Sequence, residues 1–205
     1  MPRYLITKSL IESWSYFYSC HEKYESDAMN RFLKTLKREP VEESEAMANG
    51  REFEDEVYKQ ASGIARKPHR KWENGIRDVA AFIEGAQTQV KAYNELTVNG
   101  IDLLVYGVLD ALKAGTIYDV KFSNTKFKDA DLAGKYFDCS QHPAYFYIVP
   151  EAQKFIYLVS DGEDLYTETY TPHNSRPFAE IAKEFLDSLE AMNLLELYKE
   201  KWVCR

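Results

Sequence analysis

Apolar positions change their spacing along the chain, and the first change, near residue 84, sets off a helical N-terminal third. Up to about residue 84 they recur at helical spacing. Leu10, Trp14, Phe17 and Tyr18 predict a first helix reaching Cys20, with Ser9 as N-cap and Glu12 as its capping-box partner. A second helix covers Glu25 to Lys37, and Pro40 lies just beyond it. A third runs from about Val41 to Ser62, with Gly50, Phe53, Glu54, Val57 and Ala61 on one stripe. After a polar connector from His69 to Trp72, Glu73 to Glu84 carries Ile76, Val79, Ala80 and Ile83 at the spacing of a short helix.

From Thr88 the period becomes two. Thr88 to Val98 reads as a strand ending at Asn99-Gly100, a hairpin turn signal. Ile101 to Leu112 and Ile117 to Ser123 read as the arms of a second hairpin around Lys113-Ala114-Gly115-Thr116. With a loop of two or four residues, Leu112 faces Ile117 and Asp110 stands opposite Asp119. Lys121 follows two residues along on the same face. A three-residue loop with a bulge would shift the register and separate them. Ile101, Leu103, Val105, Leu109, Tyr118, Val120 and Phe122 make the other face, expected to be the core side.

Further on, Ser140 is expected to cap a helix with Pro143 in its first turn. Lys154 to Ser160 and Glu163 to Thr171 form another hairpin around Asp161-Gly162, and Phe178 to Tyr198 reads as one closing helix. Helices, then strands, then helices indicate the α/β or α+β class. No repeat, low-complexity tract or linker interrupts residues 1–205, which are read as one domain.

With 205 residues, 45% hydrophobic and 29% charged, the chain can bury a sizeable core and has globular composition. Aromatics reach 14%, including fifteen tyrosines, enough to leave rings for bases or sugars as well as for the core. A net charge of −7 argues against broad coating of nucleic acid. It does not argue against a carboxylate-based site that acts on nucleic acid, since such carboxylates enter the count. Cys20, Cys139 and Cys204 are far apart with no C-x-x-C pair, which suits a reducing cytoplasm and gives no zinc motif. No apolar run approaches about 18 residues, so neither a membrane span nor a signal peptide is expected.

Opposed carboxylates repel, and Asp110 with Asp119 needs an offset. Two readings remain: a solvated polar face with Lys121 as counter-ion, or a hard divalent cation held between the oxygens. Glu54, at the edge of an inward stripe, either pairs or ligates, or snorkels to solvent. Lys126, Lys128 and Lys135, interleaved with Phe127, Tyr136 and Phe137, make the most nucleic-acid-like surface. Asp129, Asp131 and Asp138 offset its charge, so a solvated helix is the alternative. His142 reads as an exposed residue at a helix start.

Gly107-Val-Leu-Asp110 followed by Asp119-Val-Lys121 resembles the core signature of the PD-(D/E)XK nuclease superfamily, and more narrowly its RecB-like exonuclease branch. Three further stretches stand in family order. Ser9 to Tyr24 is similar to the N-terminal stretch of that branch, Gly50-Arg-Glu-Phe-Glu54 to its G-x-x-x-H/E helix motif, and Gln141-His-Pro-Ala-Tyr145 to its Q-x-x-x-Y motif. The resemblance spans about Ser9 to Tyr147.

It implies a restriction-endonuclease-like core, with a mixed central β-sheet flanked by helices and a helical N-terminal third. It implies Mg²⁺ or Mn²⁺ held by Glu54, Asp110 and Asp119, with the Val120 carbonyl as a further ligand. Lys121 would orient or deprotonate the attacking water, Gln141 and Tyr145 would position the strand, and the substrate would be DNA cut by an exonuclease. No P-loop is present, so a helicase or recombination partner would be a separate protein. Some RecB-like nucleases hold an iron–sulfur cluster through one early and three late cysteines. Only Cys139 and Cys204 follow the hairpin here, so no cluster is expected. The competing reading is a catalytically inactive relative that binds DNA or protein. The negative charge favours it, and the retained acid–acid–lysine set disfavours it.

Overall fold

The computed structural model describes residues 3–64, 71–127 and 132–204. Its centre is a six-stranded mixed sheet with helices on both faces. The strands are β1 (Tyr4–Thr7), β2 (Gln87–Val98), β3 (Ile101–Lys113), β4 (Thr116–Phe122), β5 (Lys154–Ser160) and β6 (Leu165–Tyr170). The helices are α1 (Lys8–Ser19), α2 (Glu25–Leu36), α3 (Glu45–Ala61), α4 (Glu73–Ile83), α5 (Gln141–Ile148), α6 (Phe178–Ala191) and α7 (Leu195–Trp202).

The long strand β3 organises the sheet. β2 pairs antiparallel with it along nearly its whole length, from Val98↔Ile101 to Gln87↔Leu112. Its other edge is shared. β1 runs parallel beside Leu103–Tyr106, and β4 runs antiparallel beside Ala111–Lys113. Residues 107–110 lie between these two pairings, so on that edge the ladder is interrupted where the candidate site sits. β4 then pairs parallel with β5, and β5 antiparallel with β6.

Two-residue turns close both hairpins of the meander. Asn99-Gly100 and Ala114-Gly115 all have positive φ, as a twist-matched tight turn requires. Leu112 pairs with Ile117, the register expected from the sequence.

The expected single core face does not hold. Leu103, Val105 and Leu109 join a cluster with Ile117, Tyr157 and residues of α1, α2, α5, α6 and α7. Ala111 and Val120 join another with Phe53 and Val57 of α3 and Ile76 and Val79 of α4, and Tyr118 and Phe122 pack against that one. Strict alternation would put Leu109 and Ala111 on one face. The switch occurs at Asp110. Opposite it, Gln89 has φ +53 and drops out of the register between Thr88↔Ala111 and Val90↔Leu109. A left-handed residue within a strand turns the pleat locally, as at a bulge.

Other expectations change at the ends of elements. β1 is only four residues, and it precedes Thr88 to Val98, the segment expected to be the first strand. Because β1 passes directly into α1, Thr7 is the N-cap and Lys8 the first helical residue, so Ser9 is not the cap. Ser44 caps α3 by accepting from the Met47 N–H, which starts that helix at Glu45 rather than near Val41. Ser140 precedes α5 but makes no side-chain cap bond. The closing helix is two: Asn193 has φ +58, a conformation Asn tolerates, and it separates α6 from α7. Among the described residues no helix is long and apolar enough to cross a membrane.

Candidate active site

Asp119 is the focus. It is only 2% exposed, on β4, and three side chains from different elements converge on it. Lys121 Nζ, two residues on, lies 2.5 Å from Oδ2. Lys8 Nζ, from the first residue of α1, lies 3.6 Å from Oδ1. Gln141 Nε2, from the first turn of α5, donates to Oδ1.

Asp110 sits at the interrupted edge of β3. Its Oδ2 accepts from the Val120 N–H at 2.9 Å, in place of a ladder partner. The opened edge also frees the Val108 carbonyl, which accepts from the Tyr145 hydroxyl at 2.7 Å. Gly107 makes this possible, since a methyl group on it would meet the Tyr145 ring at 2.3 Å. Asp110 and Asp119 are thus neighbours, as expected, but through a splayed pair of strands rather than a flat ladder.

The charges register one another. Burial, then the Asp119 charge, hold the Asp110 carboxyl up at about 7, with Glu54 adding to the effect and Lys121 and Lys8 opposing it. Burial alone would raise Asp119 too, but Lys121, Lys8 and the Gln141 amide hold it below the usual carboxylate range. Glu54, half-buried on α3, is raised by burial and by the Asp119 charge, against the pull of Lys121. Glu54 therefore belongs to the site's field, while Glu56 pairs with Lys59 at 2.6 Å.

Sequence reasoning missed Lys8 and Glu12. Burial lowers the Lys8 ammonium's affinity for its proton, yet Asp119, Glu12 and Asp110 together hold it above the ordinary lysine value. Glu12 is 3.9 Å from Lys8, and burial raises its carboxyl. Their i,i+4 spacing was legible, but only the pairing of Thr7 with Tyr106 brings the start of α1 to the interrupted edge.

Gln141 and Tyr145, which the resemblance implies as strand-positioning, are 1% and 3% exposed and bonded to Asp119 and Val108. They reach into the sheet rather than outward. His142 is also buried, stacked on Tyr170 at 4.0 Å with Nδ1 3.2 Å from the Tyr157 hydroxyl, and burial pushes its pKa down to about 4. In the lysine-rich connection, Lys126 pairs with Glu163 and Tyr136 stacks on Tyr157 at 4.1 Å, while Phe137 is exposed. Lys128, Asp129 and Asp131, like His69 of the earlier connector, lie outside the described residues.

The donor set suits a hard cation. Gln141 Oε1 is a buried acceptor without a hydrogen-bond donor, Asp119 Oδ2 faces only the Lys121 ammonium, and Asp110 is held toward its neutral form by burial and by the Asp119 charge. A bound cation would relieve these conditions. Among the described residues no group of three or more His, Cys, Asp or Glu forms a ready metal cluster. Mg²⁺ typically takes one or two carboxylates and completes its shell with water and phosphate oxygens, so the pair Asp110–Asp119 is sufficient chemistry.

No family model and no curated protein sequence matches the chain. Among solved structures, SSO0001 is 15% identical with a TM-score of 0.56, covering 93% of this chain and 78% of that one. LHK-Exo, solved in complex with dAMP, is 16% identical with a TM-score of 0.48, covering 96% and 92%. The likeness to SSO0001 is one of fold, and the chain's mixed sheet between two helical layers is consistent with a restriction-endonuclease-like architecture.

Proposed function

We propose that the protein is a metal-dependent nuclease of the RecB-like kind, hydrolysing phosphodiester bonds in DNA as an exonuclease. One observation carries the reading. Residues from motifs far apart in sequence, Lys121 and Gln141, meet on the buried Asp119 carboxylate beside Asp110, with Glu54 in their field. Such a set is costly unless it serves a charge that arrives from outside.

In this reading Asp110 and Asp119, with the Val120 carbonyl and Glu54, would hold Mg²⁺ or Mn²⁺. The bound ion would supply Lewis-acid stabilisation of phosphoryl oxygens. The chain's own groups do the rest. Lys121 orients a water and stabilises the charge that develops on phosphorus oxygens. Lys8 keeps Asp119 ionised from the other side. Gln141 fixes which Asp119 oxygen faces the site, and Tyr145 holds α5, and so Gln141, against β3. DNA as substrate, a role in recombination, repair or phage DNA processing, and a separate helicase partner rest on the family resemblance.

The test is cleavage of linear DNA labelled separately at its 5′ and 3′ ends, with Mg²⁺, with Mn²⁺ and with EDTA. Metal-dependent release of label from an end is the expected result. Metal-independent cleavage would overturn the metal assignment, and absent cleavage would leave the second reading, an inactive relative that binds DNA or protein. The net charge of −7 favours that alternative.

A further inference from the structure

Along α1, Lys8 and Glu12 continue at helical spacing into Ser15 and Ser19. Those serines line a cavity of about 400 Å³ between α1, the segment leading into α5, and α6. Ser140 on its wall directly precedes Gln141, whose amide is bonded to Asp119. The cavity therefore lies one to two helical turns from the candidate active site, on the order of 5–10 Å.

Its wall has a definite chemistry. Trp14 is 7% exposed, and its Nε1 has no hydrogen-bond partner. Tyr18 and Phe137, also on the wall, are 55% and 65% exposed. The lining cation, Arg176, is held by Glu184 at 2.7 and 3.3 Å, with Glu180 at 3.8 Å. Asp138 adds a further negative charge. A phosphate is therefore disfavoured. A flat, uncharged ring matches the wall, since it can stack on the exposed Tyr18 and Phe137 rings.

We propose that this cavity is a base-binding subsite for an unpaired nucleotide of the strand cleaved at Asp119. The proposal rests on the nuclease reading for its substrate. A base seated here places its own phosphodiester toward Glu12 and Lys8, in line with the stripe that joins cavity and site. It also gives the exposed Phe137 ring a partner.

The test uses the full chain, a single-stranded oligonucleotide carrying 2-aminopurine near its end, and bis(p-nitrophenyl) phosphate, a phosphodiester without a base. Phe137→Ala and Tyr18→Ala remove exposed rings. The ratio of kcat/KM on the oligonucleotide to that on the base-free diester is expected to fall roughly tenfold in Phe137→Ala, chiefly through KM. Quenching of 2-aminopurine on binding should weaken in the same variant. Phe82→Ala, an exposed ring on α4, should change neither readout. Unchanged ratio and quenching in both Phe137→Ala and Tyr18→Ala would overturn the subsite, as would equal affinity for an oligonucleotide made abasic at the probe position. If the wild-type protein cleaves neither substrate, the nuclease reading fails while the quenching still decides the subsite.

Discussion

The Tyr145 ring rests on the Gly107 α-carbon so closely that a methyl group there would meet Cε1 at 2.3 Å. Two residues that the sequence presents in separate motifs are thus one contact, and it clamps α5 onto β3. Gly107→Ala should overpack this joint and cost about 1–3 kcal/mol of stability. The Tyr145→Ala background should absorb most of that cost, because the ring that meets the methyl is gone. Denaturant unfolding of the two single variants and the double one measures the coupling. Purely additive losses would mean that the joint is not under strain from the added methyl.

Asp110→Asn should abolish cleavage and weaken Mn²⁺ binding, as should Asp119→Asn. The metal-free stability of the Asp110 variant carries a further signature. Asp110 is held at about 7 in the fold, against 3.8 for a free carboxyl, so the native state retains its proton more readily than the unfolded chain. Stability from this group is therefore lost as pH rises from about 4 through about 7. Asn removes that loss while its amide oxygen can still accept from the Val120 N–H. His142, depressed to about 4, works in the opposite sense over part of the window, so the difference between variant and wild type is the quantity to read. In EDTA the Tm advantage of Asp110→Asn should grow between pH 4 and pH 7. A flat difference would show that Asp110 is not charged against its surroundings.

Local chemistry made much of this legible, and its limits are physical. The turn signals at Asn99-Gly100 and Ala114-Gly115 set both hairpins, because two-residue loops with positive φ leave little freedom in register. Asp110, Asp119 and Lys121 come together on the two-residue register, which the sequence offers beside a bulged three-residue alternative. The face switch at Asp110 was hidden, because nothing in the alternation of Leu109, Asp110 and Ala111 announces the left-handed Gln89 across the ladder. β1 was hidden by its four-residue length. With it went Lys8, which is an ordinary helix-start lysine until parallel pairing with β3 carries it to Asp119. His142 was misjudged because its burial comes from Tyr157 and Tyr170, on strands outside the helix that carries it.

Glu54→Ala should lower turnover without unfolding the protein, since the side chain is only half-buried and, beyond the burial that raises its carboxyl, the charges of Lys121 and Asp119 act on it. Glu56→Ala should leave turnover unchanged and cost well under about 1 kcal/mol, the scale of an exposed i,i+3 pair such as Glu56–Lys59. Turnover on linear DNA and Tm for both variants decide the matter. Sensitivity at Glu56 with none at Glu54 would reverse the assignment of the α3 face.

Lys121→Ala should separate catalysis from metal binding. A protonated lysine has no lone pair for a cation, whereas both aspartates do. Its ammonium sits 2.5 Å from Asp119 Oδ2, within reach of a water on an ion bound there. Loss of a general base or charge stabiliser costs on the order of 10²–10⁴ in rate. Asp119 would remain balanced by Lys8 at 3.6 Å and by the Gln141 amide, so the fold should survive the change. Calorimetric Mn²⁺ affinity should be retained or improved, because a positive charge has left the site. Turnover on linear DNA should fall at least roughly a hundredfold. Lys113→Ala is the control: that lysine donates to the Glu84 carbonyl at 2.6 Å, at the far end of the same hairpin, and its loss should leave turnover unchanged. Equal turnover in the two variants would reduce Lys121 to a counter-ion for Asp119, the role that Lys8 already fills.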